Sequence, residues 1–259
     1  MGVYNTKQSN MLSMIRAIFI LAMVATIITA CSDPESPGGP FIGKSGSLAR
    51  FAVNSNYLYS VDDEHLNVFQ IMENGALEKV NSKSLESGVE TIHTQDQWLY
   101  IGTNSAMIIY DISNPSNPEY VSVYSHFVAC DPVVVQDTLA YVTMRADNCR
   151  DFGNNTLDII NIKNSQSPTI VGTYILESPY GLAIDNNLLF VCEGSNGLKI
   201  FDVSNPNSAL LLQAYHNITA YDAIASDGNL IVTGSNGVVQ YDYTDQQAIR
   251  LLSNIPVSQ

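Results

Sequence analysis

The chain has 259 residues, of which 46% are hydrophobic and 14% charged, and its net charge is −14. Because Lys7 and Arg16 precede Cys31 and no acidic residue does, the net charge from Cys31 onward is −16. Sequence-independent binding of nucleic acid or of an anionic membrane surface needs dense Lys and Arg, so both are excluded. The hydrophobic content is that of a folded domain rather than a disordered acidic tail.

Residues 1–30 have the pattern of an export signal. An uncharged apolar run, 17–28, follows Arg16. As a helix it would be about 18 Å long, short of the ~30 Å hydrocarbon core, which favours a signal peptide over a transmembrane helix. Residues 28–31, Ile-Thr-Ala-Cys, resemble the lipobox of bacterial lipoproteins, in which the Cys is acylated and the chain is cut before it. The resemblance implies lipidation at Cys31; a plain signal peptide with a chance Cys is the alternative.

Residues 31–47 are rich in Pro, Gly and Ser, so we expect a flexible tether between lipid and domain. The acidic start, residues 31–35, is similar to the surface-export tags of lipoproteins of the Bacteroidetes type, although a solvated linker would look the same. We therefore expect an exported protein that is held at the outer membrane by its N-terminal lipid, with the cell surface as an open possibility.

A repeat occupies the rest of the chain. Five eighteen-residue segments align without gaps, at 66–83, 107–124, 157–174, 198–215 and 238–255. Successive segments start 41, 50, 41 and 40 residues apart, so the third unit carries an insertion of about nine residues. Two further apolar runs precede each segment, which makes four short strand signals per unit.

Four short strands in a unit of about 41 residues are typical of a β-propeller blade. The sequence therefore predicts an all-β fold, a β-propeller of five four-stranded blades spanning 48–259. The predicted units are 48–85, 86–126, 127–176, 177–217 and 218–259. Asn114-Pro115 and Asn205-Pro206 mark the turn inside two of the segments. Asp111 and Asp202, just before these turns, are expected to accept hydrogen bonds from turn N–H groups.

Residues 108–115 (IIYDISNP) and 199–206 (KIFDVSNP) resemble the LVIVD repeat, which is named for its Leu-Val-Ile-Val-Asp core. The resemblance is weaker in the first copy, where Gln70 replaces the Asp, and in the last, where no Pro follows Asp242. It implies a secreted or lipid-anchored bacterial β-propeller, from a family largely without a defined biochemical activity.

Three cysteines remain in the domain: Cys130, Cys149 and Cys192. Loops that join strand D to strand A and strand B to strand C share one face of a propeller. Cys130 and Cys149 fall on that face in one blade, so we predict a disulfide between them in the oxidising cell envelope. Cys192 falls within a strand and is expected to be a buried free thiol.

The insertion, residues 145–155, breaks the repeat on the same face, where binding sites are commonly built. It carries oxygen ligands suited to Ca²⁺ but lacks the spacing of a known calcium loop, so no metal or other cofactor is predicted. The alternatives are a loop without a ligand and a contact for a protein or glycan partner. The binding-face candidates are Arg145, Asp147, Arg150, Asp151, Phe152 and Asn154.

The alternative function is that of an enzyme. Aligning the units on their strand B aromatics places Glu90 and Asp131 at matching positions near the channel mouth, with Asp222 at almost the same level. Paired carboxylates with separated pKa values are what glycoside hydrolysis needs. A glycoside-active enzyme would therefore use these three groups, with His93 and Tyr180 nearby. Three acids at one level also arise readily in an acidic chain, so the primary prediction names no catalytic residue.

The function favoured by the sequence is a non-enzymatic, lipid-anchored binding or adhesion module of the cell envelope. Its partner would be a protein or a glycan, and the module is expected to be a monomer that binds no nucleic acid. A subunit of an outer-membrane assembly is a third possibility.

Overall fold

The computed structural model describes residues 46–86, 88–125, 132–146, 154–246 and 248–257. These ranges contain twenty β-strands, and they contain no helix that is long and apolar enough to cross a membrane. The predicted signal peptide, the lipidation site Cys31 and most of the predicted tether lie outside the described residues.

Each blade is one antiparallel sheet of four consecutive strands, A to D from the axis outward. Blade 1 comprises β1 (Phe51–Asn54), β2 (Tyr57–Val61), β3 (His65–Ile71) and β4 (Leu77–Ser84). Blade 2 comprises β5 (Val89–Gln95), β6 (Trp98–Thr103), β7 (Ala106–Asp111) and β8 (Glu119–Ser125). Blade 3 comprises β9 (Val133–Gln136), β10 (Leu139–Met144), β11 (Thr156–Asn161) and β12 (Thr169–Ile175).

Blade 4 comprises β13 (Leu182–Asp185), β14 (Leu188–Cys192), β15 (Leu198–Asp202) and β16 (Leu210–Tyr215). Blade 5 comprises β17 (Asp222–Ser226), β18 (Asn229–Gly234), β19 (Gly237–Asp242) and β20 (Arg250–Ile255). The prediction of an all-β propeller with five four-stranded blades is confirmed, and no strand is exchanged between the two ends of the described chain.

The backbone conformation of the turns recurs from blade to blade, as the strands do. Every A–B turn places one short polar residue in the left-handed region, with φ between 50° and 56°, at Ser55, Asp96, Asp137, Asn186 and Asp227. In the C–D turns, the Asp111 and Asp202 carboxylates accept hydrogen bonds from the N–H groups of Ser113 and Ser204, at 2.7 and 2.8 Å. The predicted turn role of Asp111 and Asp202 is therefore confirmed, and it explains why Asp recurs at this position.

Consecutive blades are held together by four apolar clusters, which lie between blades 1 and 2, 2 and 3, 3 and 4, and 4 and 5. Side chains of strand B pack on both faces of the blade. In β14, for example, Leu189 packs toward blade 3 and Phe190 toward blade 5, where its ring centroid lies 4.8 Å from that of Tyr243. All five residues of β14 are buried, because this strand is covered on both faces.

Polar contacts join the same pairs of blades at the C-terminal end of strand A. Side-chain amides of Asn54, Gln95 and Gln136 each donate to a carbonyl in the A–B turn of the following blade, at 2.6, 2.9 and 2.6 Å. Between blades 4 and 5 the Tyr243 hydroxyl donates to Asp185 instead. The corresponding residue of blade 5, Ser226, bonds to its own turn at Asp227.

Blade 5 and blade 1 are not packed against each other in this way. None of the four clusters joins them among the described residues. At the strand B position where other blades bury an aromatic ring toward the following blade, blade 5 carries Ile231, which is 38% exposed. On blade 1, Phe51 is 56% exposed, whereas its counterpart Ile92 in blade 2 is buried. We call this uncovered junction the open seam.

The open seam predicts a difference in stability between two neighbouring residues of β18. Leu230 is fully buried between blades 4 and 5, whereas Ile231 points into the seam. Leu230→Ala is expected to lower the free energy of unfolding by about 3 kcal/mol, and Ile231→Ala by about 1 kcal/mol or less. Urea unfolding of the two variants measures both values, and equal losses would show that the seam is closed.

Candidate functional site

The start of strand A defines two layers around the axis. Glu90, Tyr180 and Tyr221 each stand one residue before register-equivalent positions in blades 2, 4 and 5, so they share one level. We call these three residues the mouth layer. The next level, which we call the neck, contains Gly181 and Asp222 together with Ser47 from the segment that precedes blade 1.

The neck is held by a short chain of hydrogen bonds. The Leu182 N–H donates to the Ser47 hydroxyl at 2.7 Å, and that hydroxyl donates to Asp222 Oδ1 at 3.1 Å. The Leu48 N–H donates to Asp222 Oδ2 at 3.4 Å, and the Ile92 N–H donates to the Ala49 carbonyl at 3.0 Å. Residues 46–49 therefore connect blades 2, 4 and 5 across the axis.

Close packing at the neck leaves room only for glycine at two positions. A Cβ added to Gly181 would lie 2.1 Å from Asp222 Oδ1, and one added to Gly46 would lie 2.1 Å from Oδ2. Ser47 itself is 1% exposed, although the sequence placed it in a flexible tether. Gly46 and Ser47 thus pack against Asp222 of blade 5 at the neck.

Asp222 is a half-buried acid, and its hydrogen bonds do not fully offset the effect of burial on its pKa. Burial is the largest influence on this carboxyl and raises its pKa above the usual 3.8, whereas hydrogen bonds from Ala223, Ser47 and Leu48 act in the opposite direction. Both carboxylate oxygens accept hydrogen bonds from residues 47 and 48. Asp222 therefore has a structural role in the neck.

Two side chains of the mouth layer, Tyr180 and Tyr221, form a stack with Arg145. The Arg145 guanidinium lies over the Tyr180 ring, 4.1 Å from its centroid, and the Tyr221 ring centroid lies 5.2 Å from that of Tyr180 at a tilt of 58°. Gly194 closes a further side of Tyr180, since an added Cβ would lie 2.6 Å from the ring. The stack is therefore a fixed aromatic surface, and Tyr221 keeps 37% of its area exposed.

The ends of the insertion are tied to this surface. The Asn155 side chain accepts a hydrogen bond from the Ala146 N–H at 2.7 Å and donates to the Glu177 carbonyl of the following D–A connection. Arg145 is half-buried in the stack, and Asn154 is exposed. The other binding-face candidates lie outside the described residues: Asp147, Arg150, Asp151 and Phe152.

A buried ion pair fixes the next loop on the same face. Glu193 is fully buried, and its Oε2 lies 2.7 Å from Lys199 Nζ, while its Oε1 accepts a hydrogen bond from the Glu177 N–H at 2.8 Å. Burial by itself would lower the pKa of Lys199, but the Glu193 and Glu177 carboxylates outweigh it and raise that pKa. The pair therefore clamps the B–C loop of blade 4 to the preceding connection.

Only two of the three carboxylates proposed for hydrolysis lie among the described residues. Asp222 lies in the neck, Glu90 lies at the irregular start of β5, and Asp131 lies outside the described residues. Over the described ranges, no group of three or more His, Cys, Asp or Glu side chains could hold a metal ion. The Cys130–Cys149 prediction also falls outside the described residues, whereas Cys192 is a buried free thiol as predicted.

Two residues of the candidate site, Ser47 and Tyr221, were not predicted from the sequence. Ser47 carried no signal, because a Ser within a Pro/Gly/Ser stretch looks like any linker residue. Tyr221 had a signal that a stricter repeat alignment would reveal, since it aligns with Tyr180 and Glu90 one position before the neck.

Comparison with known proteins supports the repeat and the fold. The LVIVD repeat model matches residues 89–125 and 180–217, which are parts of blades 2 and 4. No curated protein matches the sequence. The solved structures that are similar include a functionally unknown protein from Desulfotomaculum acetoxidans, with 14% identity and a TM-score of 0.66 over 83% of this chain and 71% of that one.

Two other similar structures come from bacteria. A protein from Lactobacillus plantarum has 15% identity and a TM-score of 0.62 over 78% of this chain and 69% of that one. The periplasmic gluconolactonase of Pseudomonas aeruginosa has 13% identity and a TM-score of 0.61 over 78% of this chain and 68% of that one. At these identities the likeness concerns the fold alone, so the chain is a five-bladed β-propeller that contains LVIVD repeats.

The raised pKa of Asp222 predicts a pH effect. The folded state holds this proton more tightly than the unfolded state, so this group makes the protein less stable as pH rises from about 4 through the raised pKa. Asp222→Asn cannot ionise and should lack that part of the decline. Urea unfolding between about pH 4 and pH 7 measures it.

Asp202→Asn is the matched control, because hydrogen bonds from Ser204 lower the pKa of Asp202, so its effect on stability lies below about pH 4 and the variant should keep the wild-type decline. A constant difference in stability between the wild type and Asp222→Asn over this pH range would contradict the assignment.

Proposed function

We propose that this protein is a non-enzymatic binding module of the cell envelope, anchored by a lipid on Cys31. The contact surface would be the mouth layer, with Arg145 and the insertion beside it. The observation that carries the proposal is the stack of Arg145, Tyr180 and Tyr221, which presents an aromatic and cationic surface on an otherwise acidic domain.

The composition and rigidity of the stack suit the centre of a binding interface. Tyr and Arg are enriched where partners bind most strongly, because they combine a large contact area with hydrogen bonding. Tyr180 is fixed by Arg145, Tyr221 and the Gly194 backbone, so little side-chain freedom would be lost on binding. A protein or glycan partner fits such a surface.

Binding is favoured over hydrolysis by the state of Asp222. A carboxylate that transfers a proton must be able to reach the substrate, but both oxygens of Asp222 accept hydrogen bonds from residues 47 and 48. The similarity to a gluconolactonase is one of fold and brings no catalytic residue to this chain.

The lipid anchor rests on the resemblance of residues 28–31 to a lipobox. Cys31→Ser is expected to abolish acylation and to move the protein from the membrane fraction to the soluble fraction, because the thiol that carries the lipid is gone. Labelling with radioactive palmitate, followed by cell fractionation, measures both effects. Retention of the label by the variant would refute the anchor.

The binding surface is tested by removing the exposed aromatic ring. Tyr221→Ala should reduce recovery of a partner from solubilised envelope extract at least fivefold, because it removes the accessible face of the stack. Tyr120→Ala is the control, since Tyr120 is an exposed tyrosine on the outer strand β8. A deletion of residues 146–154 should act like Tyr221→Ala, and equal recovery by all forms would exclude this surface.

A further inference from the structure

The open seam is an apolar surface that the repeat would ordinarily bury. On blade 1 it consists of Phe51, Val53, Leu58 and Phe69, and on blade 5 of Ile224, Ile231, Val238 and Ile255. Phe51, Ile231, Val238 and Ile255 are exposed, and the others are half-buried. In blades 2, 3 and 4 the equivalent strand B and strand C positions belong to the apolar clusters.

Two hydrogen bonds that join consecutive blades elsewhere have no equivalent at the corresponding positions of blade 5. Tyr174 and Tyr215 each use their hydroxyl to accept a hydrogen bond from an N–H of the following blade, at 2.7 and 3.0 Å. Blade 5 carries Ile255 at this position, and it is 66% exposed. Gln240 stands where the other blades bury Val or Ile, and it donates to Asn229 on its own blade at 3.2 Å. Blade 5 is thus apolar at the seam, but these residues make no latch across it.

Acidic groups lie near both ends of the seam. Asp62, Asp63 and Glu64 form the B–C turn of blade 1, and Asp227 lies in the A–B turn of blade 5. The cation Arg50 is engaged by Asp63 at 3.1 Å, and Arg250 is engaged by Asp242 at 2.8 Å. A partner with basic groups at its ends would match this distribution of charge.

We propose that the open seam binds a β-hairpin of a partner protein that is apolar on both faces and basic at its ends. Two sheet faces border the seam, and a hairpin with apolar residues on both faces can pack against each of them, as the β14–β15 hairpin does between blades 3 and 5. This surface lies outside the mouth layer, so the inference goes beyond the proposed function.

The test uses the purified full chain and a labelled synthetic hairpin of roughly 14 residues, with Val and Ile in both strands, an Asn-Gly turn and two Lys at each end. Fluorescence anisotropy should show saturable binding of one peptide per chain. Ile231→Asp should weaken binding at least tenfold, because it puts a charge into the apolar surface. The same hairpin with Glu at its ends should also bind at least tenfold more weakly.

Tyr120→Asp is the matched control, since it adds the same charge to another exposed apolar position and should leave binding within twofold. Thermal unfolding confirms that both variants are folded. Equal binding by Ile231→Asp and Tyr120→Asp, or no saturable binding, would overturn the proposal. A dimer in analytical ultracentrifugation that Ile231→Asp dissociates would also overturn it, because the occupant would then be a second copy.

Discussion

Face-to-face packing between consecutive blades is the interaction on which this structure depends. A single four-stranded sheet cannot cover its own two faces, so each blade is stable only against its neighbours. Phe190 shows the principle, because it lies on blade 4 but completes the cluster that blade 5 needs. The same dependence explains why the junction without a cluster, between blades 5 and 1, leaves apolar side chains exposed.

The neck supplies a polar connection on the axis beside that junction. Ser47 receives a hydrogen bond from blade 4 and donates one to Asp222 of blade 5, while Ala49 accepts one from blade 2. These bonds hold the start of blade 1 near the axis. They also occupy both oxygens of Asp222, which is why the proposed contact surface is the aromatic stack above the neck.

Much of the fold could be predicted from the sequence, because the propeller repeats one local pattern. The Val- and Ile-rich runs predict strands, and Asp111 and Asp202 predict their turns, since each effect operates within a few residues. The candidate site was harder to predict. Arg145 was recognised because it begins the insertion, but its contact with Tyr180 joins residues that are far apart in the chain.

The sequence by itself determined the number of strands, their grouping into blades and the turns between them, because these follow from local patterns with a fixed period. Only the tertiary structure decided that Ser47 is buried, that Asp222 is a structural residue and that no apolar cluster of the described residues joins blades 5 and 1. The Ser47–Asp222 contact spans 175 residues of sequence. Such a contact depends on how five blades are arranged around the axis, which no local pattern encodes.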